Sequence, residues 1–106
     1  MTTFKERETA QEAKFAHDQE TTFKINARRN KLLGLWAAEL MDVSGQAADD
    51  YAKEVIRSDF EEVGEEDVYR KVMGDLQAKD IDLSEHRLRR KMSELLDLAR
   101  VQVTTE

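Results

Sequence analysis

At 106 residues the chain has the size of one domain, and its lack of proline and cysteine permits long helices while excluding disulfides, thiolate metal sites and thiol catalysis. A net charge of −6 argues against generic nucleic-acid binding, which phosphate neutralisation drives. No apolar run approaches the ~18 residues of a membrane span and the N-terminus lacks the apolar core of a secretory signal, so the expectation is a soluble intracellular protein in a reducing compartment.

Four segments carry helical periodicity. The first changes character halfway. Thr2–Glu20 is charged, with Phe4 and Phe15 as its only large apolar residues, whereas 21–41 holds no acidic residue until Glu39 and carries the single tryptophan, Trp36. Its inward set reads Phe23, Ala27, Leu32, Leu33, Leu35, Trp36, Leu40 and Met41. The helix can begin anywhere between Thr2 and Thr22, and should end near Val43-Ser44-Gly45, where Gly45 can take a positive φ. The second helix covers about 46–60, with Ala48, Tyr51, Ala52, Val55, Ile56 and Phe60 as its stripe. Val63-Gly64 interrupts. A third helix then opens on Glu65, Glu66 and Asp67, acidic groups favoured by the helix dipole, and runs to about Lys79 with Val68, Val72, Met73 and Leu76 inward. The fourth has the clearest start: Ser84 is a good N-cap, flanked by Leu83 and Leu88 at the positions of a hydrophobic staple. Its stripe is Leu88, Met92, Leu95, Leu96 and Ala99, extending to Val103. No segment alternates with period two. The short connections favour antiparallel neighbours, giving an all-α fold: a small four-helix bundle with a mobile N-terminal arm.

The arm is expected over 1–19 and the globular domain over 20–106. Phe4 and Phe15 stand eleven residues apart, about three turns, and so share a face. Alanine, glutamate, lysine, glutamine and arginine make the arm a fair helix former, yet an isolated helix of this size is marginal in water. The expectation is an arm disordered or partly helical when free and helical when bound, the ordering entropy being lost on binding. A floppy, functionless terminus is the alternative.

Three clusters invite chemistry. Asp59, Glu61, Glu62, Glu65, Glu66 and Asp67 could bind a divalent cation, but lack the alternating oxygen ligands and fixed glycine of a calcium loop; a solvated turn, or pairing with nearby bases, is the other reading. Lys24, Arg28, Arg29 and Lys31, with Arg87, Arg89, Arg90 and Lys91 on the fourth helix, could hold a phosphate or nucleotide weakly, or pair with those same carboxylates. The four glycines are isolated, so no phosphate loop supports the first alternative. His17 and His86 show no metal-ligand spacing. His17, beside Asp18, offers a pH-dependent arm. No serine–histidine–acid arrangement is visible, so no enzyme is expected and no cofactor is required.

The stretches EAKFAHDQE and FKINARRNKLLGLWAAELM, followed by SDFEEVGEEDVYRKV, resemble the zeta subunit, the inhibitor of alphaproteobacterial F-type ATP synthases. The resemblance is strongest over Phe4–Gly34, Trp36–Ala38 and Ser58–Lys71, and ARRNKLLGLWAA is its most specific run. It implies a four-helix fold and a non-enzymatic role. The family's N-terminal segment inserts as a helix between the catalytic subunits and the central stalk, and blocks rotation in the hydrolysis direction. Carried over position by position, the implied inhibitory residues are Phe4, Arg7, Glu8, Glu12, Lys14, Phe15, His17 and Asp18. The implied partner is the catalytic head, meaning its alpha, beta and gamma subunits, bound by a monomer that is cytoplasmic and peripheral to the inner-membrane synthase. Val63 departs from the pattern, where a proline is expected before Gly64. A small helical adaptor, or a nucleotide-responsive regulator using the Lys24/Arg28/Arg29/Lys31 face, is the competing reading.

Overall fold

The computed structural model describes the backbone of residues 4–59 and 64–106, and the side chains of 19–59 and 64–106. Four helices follow in chain order: α1 (Phe4–Leu40), α2 (Gly45–Ser58), α3 (Glu66–Ala78) and α4 (Glu85–Thr105). Among the described residues there is no strand. Phe60, Glu61, Glu62 and Val63, which the sequence reading placed in the α2 stripe, the acidic cluster and the α2–α3 turn, lie outside the described residues.

α1 is continuous over 37 residues, a length of about 55 Å at 1.5 Å per residue. It is the spine of the bundle and packs mainly against α2 and α4, while α3 closes the remaining side. Two helix pairs are shown to be antiparallel by the side chains that mark their register. Arg28 reaches Gln102 while Trp36 lies beneath Lys91, so α4 descends as α1 ascends. Tyr51 meets Asp75 and Glu54 meets Lys71, which sets α2 against α3 in the same way.

The stop of α1 falls just ahead of the expected Val43-Ser44-Gly45 stretch, and Gly45 takes the positive φ expected of it, +64°. The helix ends at Leu40, where Asp42 takes φ +60° and the amides of Val43 and Asp42 donate to the carbonyls of Ala38 and Glu39 at 2.8 and 3.1 Å. These are the two bonds of a Schellman motif. α3 ends the same way. Asp80 has φ +58°, Ile81 N–H donates to Leu76 at 2.9 Å and Asp80 N–H to Gln77 at 3.0 Å. Ile81 then folds back onto the core, the apolar contact that accompanies this motif. Aspartate tolerates the left-handed region better than most residues, so it can close a helix where no glycine stands. The α4 start is as read: the Ser84 hydroxyl accepts from the Arg87 amide at 3.2 Å, Leu88 is fully buried and Leu83 packs against the core.

The core contains Leu33 and Ala37 from α1, Val55 from α2, Val68, Val72, Met73 and Leu76 from α3, and Leu88, Met92 and Leu95 from α4. Each fully buried leucine here stabilises the fold by about 1.5–3 kcal/mol relative to exposure. The α3 and α4 stripes match expectation. The α1 stripe does not match throughout: Phe23 is 56% exposed and Leu40 41% exposed. Both fall near the ends of the covered part of α1, and Phe23 borders an open cleft with Ile56 and Asp59 at the end of α2. Gly34 marks the closest approach of two helices. A Cβ added there would stand 2.6 Å from the Ala52 Cα and 3.2 Å from its Cβ. The small residues Gly34, Ala37, Ala38, Ala48 and Ala52 let α1 and α2 come together at this level.

Candidate functional site

The cover on α1 thins toward the N-terminal end of its described side chains. Its first buried side chain among the described residues is Arg29, Ile25–Arg28 are half-buried, and Gln19, Glu20 and Thr22–Lys24 are exposed. The side chains of Phe4, Arg7, Glu8, Glu12, Lys14, Phe15, His17 and Asp18 lie outside the described residues. Their backbone belongs to the same helix, which runs from Phe4 into the core without interruption.

The four basic residues of α1 are not one open patch. Lys24 pairs with Glu20 at 3.4 Å on an exposed face. Arg28 donates from Nη1 to Gln102 Oε1 at 2.9 Å and pairs through Nη2 with the Glu106 carboxylate, tying the last turn of α4 to α1. Arg29 turns inward and is only 4% exposed. Its Nε donates to Asn30 Oδ1 at 2.6 Å and its Nη1 lies 3.3 Å from Glu65 Oε2. Lys31 is exposed. A buried guanidinium needs such partners, because an unpaired charge in the interior is costly.

The same Glu65 carboxylate faces Arg89 on α4 at 3.4 Å. Arg89 also reaches Glu66 at 2.9 Å and lies 3.8 Å from the centre of the Tyr69 ring. The hydrogen bond with Glu66 is the chief cause that raises the Arg89 pKa above its ordinary value, with the charges of Glu66, Glu65 and Glu85 adding to it against desolvation. Asp67 is buried and accepts from Arg70 at 2.6 Å. The described acidic residues at the start of α3 therefore bind arginines from α1, α3 and α4.

A second polar junction joins α2 to α3. The Tyr51 hydroxyl donates to Asp75 Oδ2 at 2.8 Å. Lys71 lies 2.9 Å from the same oxygen, 3.5 Å from Glu54 and 5.3 Å from the centre of the Tyr51 ring. Burial, then the bond to Asp75, push the Tyr51 pKa up. Desolvation acts to lower the Lys71 pKa, but its bonds and charge contacts with Asp75 and Glu54 together raise it.

One feature was missed in the sequence. Trp36, read there as core, is half-buried and forms the wall of a cavity of about 320 Å³ at the α1–α4 seam, with Leu83, Arg87, Arg90, Lys91 and Glu94 around it. Lys91 Nζ stands 5.6 Å from the centre of the indole ring. His86, which is exposed, also borders this cavity. The signal lay in the run HRLRRK, whose basic residues fall on two sides of the buried Leu88–Met92 stripe: Arg89 turns toward α3, and Arg87, Arg90 and Lys91 toward Trp36.

The family model for ATPase inhibitor subunit zeta matches residues 1–102. The chain belongs to this family. Membership of the zeta family gives the chain the role of an ATPase inhibitor, and so that of a regulator which binds the ATPase head. A solution NMR structure is 49% identical and covers 78% of this chain and 94% of its own, with a TM-score of 0.70. No curated protein matches the chain. None of the described helices is long and apolar enough to cross a membrane.

Proposed function

We propose that this zeta-family chain inhibits ATP hydrolysis by the F-type ATP synthase through insertion of residues 1–19 as a helix between catalytic subunits and central stalk. The alpha, beta and gamma subunits are its contacts, and the block acts in the hydrolysis direction. The observation that carries this reading is the continuity of α1, which passes from the core at Leu33 out to Phe4 as one helix. Such a helix can transmit the position of the bundle to the arm, so that a wedge is held at a set angle. Phe4 and Phe15 would anchor it as aromatic hot spots, and Arg7, Glu8, Glu12, Lys14, His17 and Asp18 would set register by charge. A one-way block requires tighter binding to one rotational state than to others, since only differential affinity shifts an equilibrium. The reading needs no cofactor. It makes the protein a cytoplasmic monomer, peripheral to the inner-membrane synthase.

The test is ATP hydrolysis by a purified alphaproteobacterial ATPase head, titrated with the full chain and with a version beginning at Glu20. Inhibition by the full chain alone is expected. Equal inhibition by the truncated form would refute the inserted arm and move attention to the bundle. The adaptor or nucleotide-responsive reading through Lys24, Arg28, Arg29 and Lys31 makes the opposite forecast, that removal of the arm leaves binding intact. A nucleotide at that face would have to draw Arg28 away from Gln102 and Glu106.

A further inference from the structure

The cavity beside Trp36 has no part in the inserted-arm mechanism, and its chemistry is unlike the rest of the molecule. The chain as a whole is acidic, with a net charge of −6, yet here Arg87, Arg90 and Lys91 surround the single carboxylate of Glu94. Glu94 is shared, 3.4 Å from Arg90 and 3.9 Å from Lys91. Arg87 is exposed and its side chain has no ion-pair or hydrogen-bond partner among the described residues. By contrast Arg89, on the same helix, is fully engaged by Glu65, Glu66 and Glu85. The apolar surface is the half-buried Trp36 ring and Leu83, both packed against the core, so the walls are held in place before any partner arrives.

We propose that this cavity is a second docking point, which takes an acidic segment of the partner enzyme. Carboxylate side chains of that segment meet Arg87, Arg90 and Lys91, and an apolar side chain beside them lies against Trp36 and Leu83. Charge complementarity favours a peptide over a compact polyphosphate. The cations are spread along a helix face around an apolar wall, and no glycine-rich loop of backbone amides converges on one point. Such a layout suits single negative charges spaced along a chain.

The placement gives the site a use. Trp36 and Glu20 lie sixteen residues apart on one continuous helix, so the cavity stands about 24 Å along α1 from the arm boundary. Two contacts joined by a rigid rod bind with the second event effectively intramolecular, provided the spacing fits. The arm then supplies the block, while the cavity raises its local concentration. The identity of the partner rests on the proposed inhibitory function; the ligand chemistry of the cavity does not.

The experiment uses the full chain throughout. Trp36, the only tryptophan, reports on the cavity by its emission. Hexaglutamate should change that emission saturably at constant ionic strength, and tripolyphosphate should not. The pair Arg87→Glu and Lys91→Glu should abolish the response, while Glu94→Gln, which removes the competing carboxylate, should strengthen it; a gain cannot come from misfolding. With the ATPase head, the double reversal should raise the half-inhibitory concentration about tenfold while leaving maximal inhibition intact. Inhibition at unchanged concentration by the reversed variant, or an emission change with tripolyphosphate alone, would overturn the proposal. If the parent chain binds the head without inhibiting it, the inhibitory reading fails; loss of that binding in the double reversal would still support the docking point, and unchanged binding would refute it.

Discussion

Adding one methyl group to Gly34 should destabilise the protein, although the same change on a free helix would stabilise it. Glycine in a helix interior costs about 1 kcal/mol relative to alanine. At Gly34 that gain is opposed by sterics. The new Cβ would stand 2.6 Å from the Ala52 Cα, 3.2 Å from the Ala52 Cβ and 3.3 Å from Val55 Cγ2. Ordinary carbon contacts begin near 3.4 Å. The nearest obstacle is backbone and cannot rotate aside, so α2 must shift as a body by almost an ångström, pulling Val55 off its place in the core. Overpacking of this kind costs about 1–3 kcal/mol, and a backbone obstacle belongs at the upper end. The net loss for Gly34→Ala is therefore about 1–2 kcal/mol, a fall in Tm of roughly 5–15 °C for a domain of this size. Gly74→Ala is the matched control. It lies in α3 with no atom within 4 Å of its added Cβ, so propensity acts alone and stability should rise by up to about 1 kcal/mol. Thermal melts by circular dichroism decide the matter. A Gly34→Ala protein as stable as its parent would show that α1 and α2 are not in close contact at Ala52, and the account of this interface would be wrong.

Other consequences follow from the arm, the α2–α3 junction and the helix ends. Phe15→Ala should weaken inhibition of the ATPase head at least tenfold, the effect of losing an aromatic anchor, with Tm nearly unchanged; parallel losses in both would remove Phe15 from the inhibitory surface. Tyr51 and Lys71 both hold their protons more tightly in the folded protein, so their stabilisation is complete below the ordinary tyrosine value of 10.0 and is lost as pH rises beyond it. Tyr51→Phe should therefore cost about 1 kcal/mol at neutral pH for the missing hydrogen bond and flatten the decline between pH ~9 and ~11; urea melts that stay parallel to the parent across that range would contradict this. Asp80→Gly should raise stability by about 0.5–1 kcal/mol, because glycine adopts the left-handed position without the penalty of a side chain. A loss of stability there would mean that the aspartate side chain contributes more than its backbone strain costs.

Much of the bundle was legible because its signals are local. Ser84, Leu83 and Leu88 declare the start of α4 within six residues, and Val68, Val72, Met73 and Leu76 show the face of α3 by spacing alone. The end of α3 near Lys79 was legible, and Gly45 takes the positive φ expected of it. Spacing did not show that Asp42 and Asp80 are left-handed as well, each with its apolar partner one residue later. The functional face was least legible. ARRNKLLGLWAA is distinctive as a run of letters, yet nothing in it says that Arg28 points to α4, Arg29 into the interior and Trp36 to a cavity.

The sequence by itself determined four helices, the α4 cap, the apolar stripes of α3 and α4, and a polar N-terminal segment unsuited to a core, since these depend on residues within a turn or two of one another. The family, too, was readable there. Tertiary structure alone decided which parts of α1 are covered, leaving Phe23 and Leu40 exposed while burying Arg29. It also decided that Glu65 serves two arginines from different helices and that HRLRRK divides between a paired network and an open basic cavity. The reason is physical: propensity and periodicity report one helix's preferences, whereas burial, ion pairing and concave surface exist only once α2, α3 and α4 occupy their places around α1.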